Sequence, residues 1–134
     1  MNGQLKLKSV FDGSDCIEYV TDADIERQGE TVVITYAENQ DDYAETTSKI
    51  GISKDVVTLN RFGSFPATFL FSKGQTQQGK ILTLVGEIDI SINTYALAAD
   101  FDENCIKLSL GYEMIMQGAP SSVCLMELEC SFKE

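Results

Sequence analysis

The amino-acid sequence predicts an all-β protein, a single closed, antiparallel, up-and-down β-barrel of eight to ten strands. Apolar residues recur with a period of two, and no window carries the 3.6-residue period of a convincing helix. Turn residues separate the alternating segments at short intervals, which favours antiparallel neighbours. Such strands form either a sandwich or a barrel. Several segments exceed eight residues, a length that suits tilted barrel strands better than a small sandwich.

The clearest alternation lies in the second half of the chain. In segment 87–93 three isoleucines lie on one face and polar residues on the other. Segments 106–114 and 124–132 repeat this pattern, and the latter places Cys124 and Cys130 on the apolar face. We therefore predict three strands with one face in the core and one in water.

The first part of the chain contributes seven further candidate strands. They are 5–11, 16–25, 31–38, 46–52, 56–61, 67–71 and 81–85. The polar segment 74–79 begins and ends with glycine and is predicted to be a turn. Gly86 and Gly111 stand inside long strand patterns, where a missing side chain permits a bulge or a sharp bend. We expect barrel corners at both glycines.

Length and composition indicate one domain that spans residues 1–134. Apolar residues make up 43% of the chain and charged residues 23%, as in ordinary globular proteins. A chain of this size buries enough surface to fold without a metal or a disulfide. We therefore expect the whole chain to form a single core.

The charge balance and the absence of long apolar runs limit the partners. The chain has 21 acidic and 10 basic residues, a net charge of −11, which disfavours binding to the phosphate backbone of nucleic acids. Neither the apolar core of a signal peptide nor a run long enough to span a bilayer is found in the sequence. We expect a cytoplasmic protein that binds neither nucleic acid nor membrane.

The sequence contains four cysteines, no C-x-x-C pair and no histidine. Ser-His and Cys-His catalytic pairs are therefore impossible within this chain, as is a mixed Cys/His zinc site. In a reducing compartment the cysteines are expected to be free thiols that pack as small apolar residues. No cofactor and no metal is expected.

Five short motifs, in order and with matching separations, resemble the YwiB-like family, bacterial proteins of unknown function. They are Ser9-Val10, residues 32–36 followed by Glu45-Thr46-Thr47, Leu59-Asn60-Arg61-Phe62-Gly63, residues 83–94, and Leu108-Ser109-Leu110-Gly111-Tyr112. The resemblance implies a calycin, lipocalin-like barrel and a cytoplasmic setting, and it carries over no catalytic residue. Lipocalins have an N-terminal Gly-x-Trp motif, whereas this chain has no tryptophan. Their ligand-carrying role is therefore not transferred.

Arg61 is the main candidate for a binding residue. It stands shortly before an aromatic run of Phe62, Phe65, Phe69 and Phe71. Its guanidinium could meet an anionic head group at the barrel mouth while phenylalanines line an apolar cavity. Alternatively, Arg61 pairs with a surface carboxylate or lies over an aromatic ring, and the phenylalanines fill the core. The full set of proposed ligand-binding residues is Arg61, Phe69, Phe71, Tyr36, Tyr95 and Tyr112.

Carboxylates offer a second, weaker pattern. Asp22, Asp24 and Glu26 share one face of a predicted strand, where they could act in acid–base chemistry, bind a hard cation or simply face solvent. Three functions remain open. They are a barrel that binds a small apolar or amphipathic ligand, a protein-interaction or structural module without a ligand, and a carboxylate-dependent enzyme. The first is preferred, and no catalytic residue is assigned.

Overall fold

The described residues form ten β-strands. The computed structural model describes residues 2–13, 15–38, 46–63, 66–83, 85–102, 104–116 and 121–132. The strands are β1 (Asn2–Phe11), β2 (Asp15–Gln28), β3 (Thr31–Glu38), β4 (Thr46–Ile52), β5 (Val56–Phe62), β6 (Ala67–Ser72), β7 (Thr76–Thr83), β8 (Gly86–Phe101), β9 (Cys105–Met116) and β10 (Ser122–Phe132). In these ranges no helix is long and apolar enough to cross a membrane.

The strands form a closed barrel in which each pairs with its neighbours in sequence. The order around the barrel is β1-β10-β9-β8-β7-β6-β5-β4-β3-β2. Antiparallel pairing of β1 with β10, from Gly3↔Phe132 to Phe11↔Cys124, closes the sheet. Closure leaves neither terminal strand as an open edge. The predicted closed, antiparallel, up-and-down barrel is confirmed.

The core fills the barrel with the inward residues of each strand. On β1 buried and exposed residues alternate strictly from Asn2 to Ser9. In the registers of β1, β10 and β9, the fully buried residues Leu5, Cys130 and Ile106 lie side by side in one row. Cys124 and Cys130 are both buried, so their predicted placement on the core face is confirmed.

The predicted limits of β7 are wrong. Segment 74–79 was expected to be a turn, but β7 begins at Thr76, and Gly79 lies within it. A Cβ on Gly79 would come within 2.6 Å of the Thr68 carbonyl oxygen. The glycine is therefore explained by the close approach of β6 to β7, whereas the turn itself is at Gly74, whose φ is +76°.

The corner predicted at Gly86 is also wrong, because this glycine closes a tight hairpin. Gly86 pairs with Thr83 and has a φ of +117°, a conformation that favours glycine. The bulge or bend predicted at Gly111 on β9 is found instead on β8, the strand that pairs with it. The register of β8 against β9 shifts between Thr94 and Ala96, opposite Gly111, so that β8 carries the extra residue of a β-bulge.

Arg27 connects three elements at one end of the barrel. Its guanidinium lies 5.2 Å from the centre of the Phe132 ring, and its Nη2 donates a hydrogen bond to the Asp102 carbonyl oxygen. The Asp102 carboxylate accepts hydrogen bonds from the backbone N–H groups of Asn104 and Cys105, at 2.7 and 2.8 Å, which lower the pKa of Asp102. Strands β2 and β10 are thereby tied to the β8–β9 turn.

Candidate ligand cavity

A cavity of about 240 Å³ lies inside the opposite end of the barrel. Its lining includes Phe11, the last residue of β1, and Arg61, the last but one of β5. Apolar side chains dominate the lining, and the polar groups come from Ser9, Tyr36, Arg61 and Tyr112. This combination of an apolar wall with a few polar groups is typical of small-molecule sites.

Arg61 is the charged residue of this lining. The ladder places it between Ser48 on β4 and Ala67 on β6, both of which are buried. Alternation along β5 therefore points Arg61 inward, where it is half-buried and its Nε atom is shielded from solvent. Arg61 and Tyr112 line the same cavity, and although burial raises the pKa of Tyr112 overall, the charge of Arg61 opposes this rise.

Tyr112 is more fully buried than Arg61. Its ring packs against Phe71 with 4.7 Å between the ring centres and an angle of 58°. Burial raises the pKa of Tyr112 above its usual value, and the neighbouring Cys124, with which it forms a hydrogen bond, raises it further. Burial likewise raises the pKa of Cys124. Both groups are therefore neutral at physiological pH, and among the described lining residues the ionised side chain is Arg61.

Five of the six predicted binding residues lie together around the cavity. They are Tyr36, Arg61, Phe69, Phe71 and Tyr112. The four aromatic residues are 2–7% exposed, so they line the cavity and belong to the core at once. Of the other phenylalanines in the aromatic run, Phe62 is 54% exposed and Phe65 lies outside the described residues.

Tyr95 is placed on the outside of the barrel, contrary to the prediction. It is 51% exposed, and its ring covers Gly111 on the outer face. The reason is visible in the alternation itself. Ile90, Ile92 and Thr94 point inward, so the next residue points outward, and the bulge then restores the inward phase at Leu97.

Ser9 is a lining residue that the sequence reasoning missed. It occupies an inward position on β1, between Leu7 and Phe11, and is 9% exposed. A polar residue in an otherwise apolar phase was the available signal. Ile17, also in the lining, is 43% exposed, so this end of the cavity reaches solvent.

The acidic row of β2 faces outward as predicted. Asp22, Asp24 and Glu26 are all exposed. The first two line a surface cleft of about 460 Å³ beside Tyr36, which also lines the cavity. Across the described ranges, no three His, Cys, Asp or Glu residues are grouped so that they could hold a metal ion.

Fold and cavity together define a ten-stranded, up-and-down β-barrel with a small, partly polar interior site. Residues 5–128 match the domain of unknown function DUF1934, and the chain belongs to that family. Among solved structures it is similar to the crystal structure of the ywiB protein from Bacillus subtilis, with a TM-score of 0.87 and 20% sequence identity over 99% of this chain and 92% of that chain. No curated protein matches the chain. The resemblance to YwiB-like proteins inferred from the five motifs is confirmed, and at this identity the structural likeness carries the fold alone.

Proposed function

We propose that this protein binds a small amphipathic molecule with an acidic head group inside the barrel. The observation that carries the proposal is the cavity of about 240 Å³ with Arg61 in its otherwise mostly apolar lining. In this arrangement the head group lies against the guanidinium of Arg61, and the apolar part contacts Phe69 and Phe71. The same proposal includes that the barrel is related to the calycins, a class that contains ligand carriers.

The size of the cavity restricts the ligand. At about 30 Å³ per water molecule in the liquid, the volume corresponds to roughly eight waters. Pockets for drug-sized molecules begin at roughly 300 Å³. A short aliphatic or a small aromatic acid fits this volume better than a long-chain fatty acid. Met114 and Met126, whose unbranched side chains adapt easily, line the cavity and allow some variation in ligand shape.

Electrostatics favour an anion at this position and disfavour one elsewhere. The chain has a net charge of −11, so the surface as a whole repels anions. Arg61 is half-buried, and a charge-assisted hydrogen bond is stronger where water is partly excluded. The Tyr112 hydroxyl nearby is a further polar group for the same head group.

We further propose that the protein acts in the cytoplasm and binds no nucleic acid. The acidic surface argues against nucleic-acid partners. All four cysteines are free, which suits a reducing compartment such as the cytoplasm. The proposed role is binding, because the described lining combines one cation with neutral hydroxyl groups and an apolar wall.

The test compares octanoate with octanol, which differ in charge and share their chain length. Binding is measured by calorimetry and by thermal shift for the wild-type protein, Arg61→Gln and Arg61→Lys. Loss of a charge-assisted hydrogen bond removes about 1.5–3 kcal/mol, so Arg61→Gln is expected to weaken octanoate binding about 10- to 100-fold. Octanol binding should hardly change, and Arg61→Lys should keep part of the preference for octanoate.

Lys49→Gln is the matched control, because Lys49 lies on the outer face of β4 next to the inward Ser48. It removes the same charge from the chain without touching the cavity, so octanoate binding should stay unchanged. Equal affinity of wild-type and Arg61→Gln proteins for octanoate would refute the assignment of the head group to Arg61. Failure of small acids and alcohols of this size to bind at all would refute the ligand proposal.

A further inference from the structure

The outer wall of β8, β9, β10 and β1 carries an apolar row that is exposed at Leu125 and Tyr95. Val10 on β1 pairs with Leu125 on β10, which pairs with Gly111 on β9. The Tyr95 ring of β8 lies over Gly111, where a Cβ would come within 2.7 Å of its Cε2 atom. Leu125 and Tyr95 are each 51% exposed. A bulge and a glycine thus hold an aromatic ring against the wall, and such anchored aromatic residues are typical of interface centres.

Two charged rows run beside the apolar row on the same wall. In the order β1, β10, β9, β8 the first row is Lys6, Glu129, Lys107 and Asp100. In the same order the second row is Lys8, Glu127, Ser109 and Ala98. Both rows line a surface groove of about 690 Å³. The charges in the first row alternate in sign across the four strands.

These two rows are neutral in a strongly acidic chain. The two rows contain three lysines and three acidic residues, so they add nothing to the net charge of −11. A second copy of the chain is repelled by the surface as a whole, but not by these rows. The charged side chains of this first row, Lys6, Glu129, Lys107 and Asp100, are all exposed, so a partner can reach them.

We propose that two copies of this chain associate face to face through this wall, about a two-fold axis that runs parallel to the strands between β9 and β10. Such an axis reverses the strand order and keeps each row against the same row of the partner. Lys6 then faces the partner's Asp100, and Glu129 faces the partner's Lys107. When the strand order is reversed, every charge in the first row therefore faces a charge of opposite sign.

The same two-fold axis also brings the apolar rows of the two copies together. Leu125 on β10 faces the partner's Gly111 on β9, which is covered by the Tyr95 ring. Four strands about 4.8 Å apart give a wall only about 20 Å wide. This contact is at the small end of specific interfaces, so we expect a dimer with a dissociation constant in the micromolar range that weakens as salt increases.

The test uses two charge reversals, each of which should weaken association alone, whereas a mixture of the two variants should restore it. In a Lys107→Glu homodimer, Glu129 of each copy faces the new glutamate of the other copy. In a Glu129→Lys homodimer, the new lysine of each copy faces Lys107 of the other copy. Each single variant is expected to weaken the homodimer about tenfold or more in sedimentation velocity at low salt. An equimolar mixture of the two variants should form a heterodimer, because every pair across the interface is then opposite in charge.

Leu125→Lys should abolish association, whereas Leu82→Lys is the matched control. Leu82 is 45% exposed and lies on β7, which is not one of the four wall strands, at the end of β8 far from Asp100, so the dimer should be unaffected. A wild-type protein that remains monomeric from micromolar to millimolar concentration overturns the proposal. So does a dimer that is insensitive to Leu125→Lys, or a pair of charge variants whose mixture associates no better than either alone.

Discussion

Replacing Gly79 by alanine tests the close approach of β6 to β7. The new Cβ would lie 2.6 Å from the Thr68 carbonyl oxygen and 3.2 Å from Cγ1 of Ile90. The nearest of these atoms belongs to the backbone and cannot move away by a side-chain rotation. Overpacking of this kind costs about 1–3 kcal/mol. With an unfolding entropy of about 2.1 cal/mol/K per residue, 2 kcal/mol lowers the Tm of this chain by about 7 °C.

The assay is urea unfolding together with calorimetry of wild-type, Gly79→Ala and Gly111→Ala proteins. At Gly111 the nearest atoms belong to the half-exposed Tyr95 ring, which can swing away, so this variant should lose less stability than Gly79→Ala. The comparison separates backbone crowding from side-chain crowding at two glycines of the same sheet. If Gly79→Ala unfolds within about 0.5 kcal/mol of wild type, the close approach is not what requires glycine.

Three further predictions concern the Arg27 end of the barrel and the thiols. Arg27→Ala should lower the free energy of unfolding by about 1–2 kcal/mol in urea titrations, because one cation–π contact and one hydrogen bond are lost. The pKa of Asp102 is lowered in the folded protein, so its ionised form stabilises the fold at pH values above the unfolded-state pKa of about 4. This contribution is lost as the pH falls. A plot of Tm against pH for wild type and Asp102→Ala should show the loss. Burial raises the pKa of Cys130 to about 11, so at pH 8 a thiol reagent should modify the exposed Cys16 rapidly and Cys130 only on unfolding, as mass spectrometry of the labelled peptides would report.

The fold was predictable because strand alternation is a direct consequence of one buried face. Strand 124–132 was placed correctly, with Cys124 and Cys130 inward, because every second residue is apolar and the pattern has no competing period. The start of β7 was not predictable in this way. Its residues 76–80 are polar or glycine, since this strand has few apolar inward positions, and the local composition resembles that of a turn.

The candidate site was predictable to the extent that alternation fixes which side chains point inward. Arg61 and Tyr112 follow this rule and line the cavity, and the same rule applied strictly would have placed Tyr95 outside and Ser9 inside. The cavity itself depends on how inward side chains from different strands meet across the barrel. That depends on the register and on the diameter of the closed sheet, which local sequence patterns do not encode.

The end of the backbone pairing between β2 and β3 has a consequence for how the barrel opens. Their ladder runs from Gln28↔Thr31 to Asp24↔Thr35 and does not continue to Ala23 and Tyr36. A barrel wall is one strand thick, so the Tyr36 side chain, which lines both cleft and cavity, is the partition between interior and surface at this point. Movement of this one side chain would therefore connect the surface cleft with the cavity.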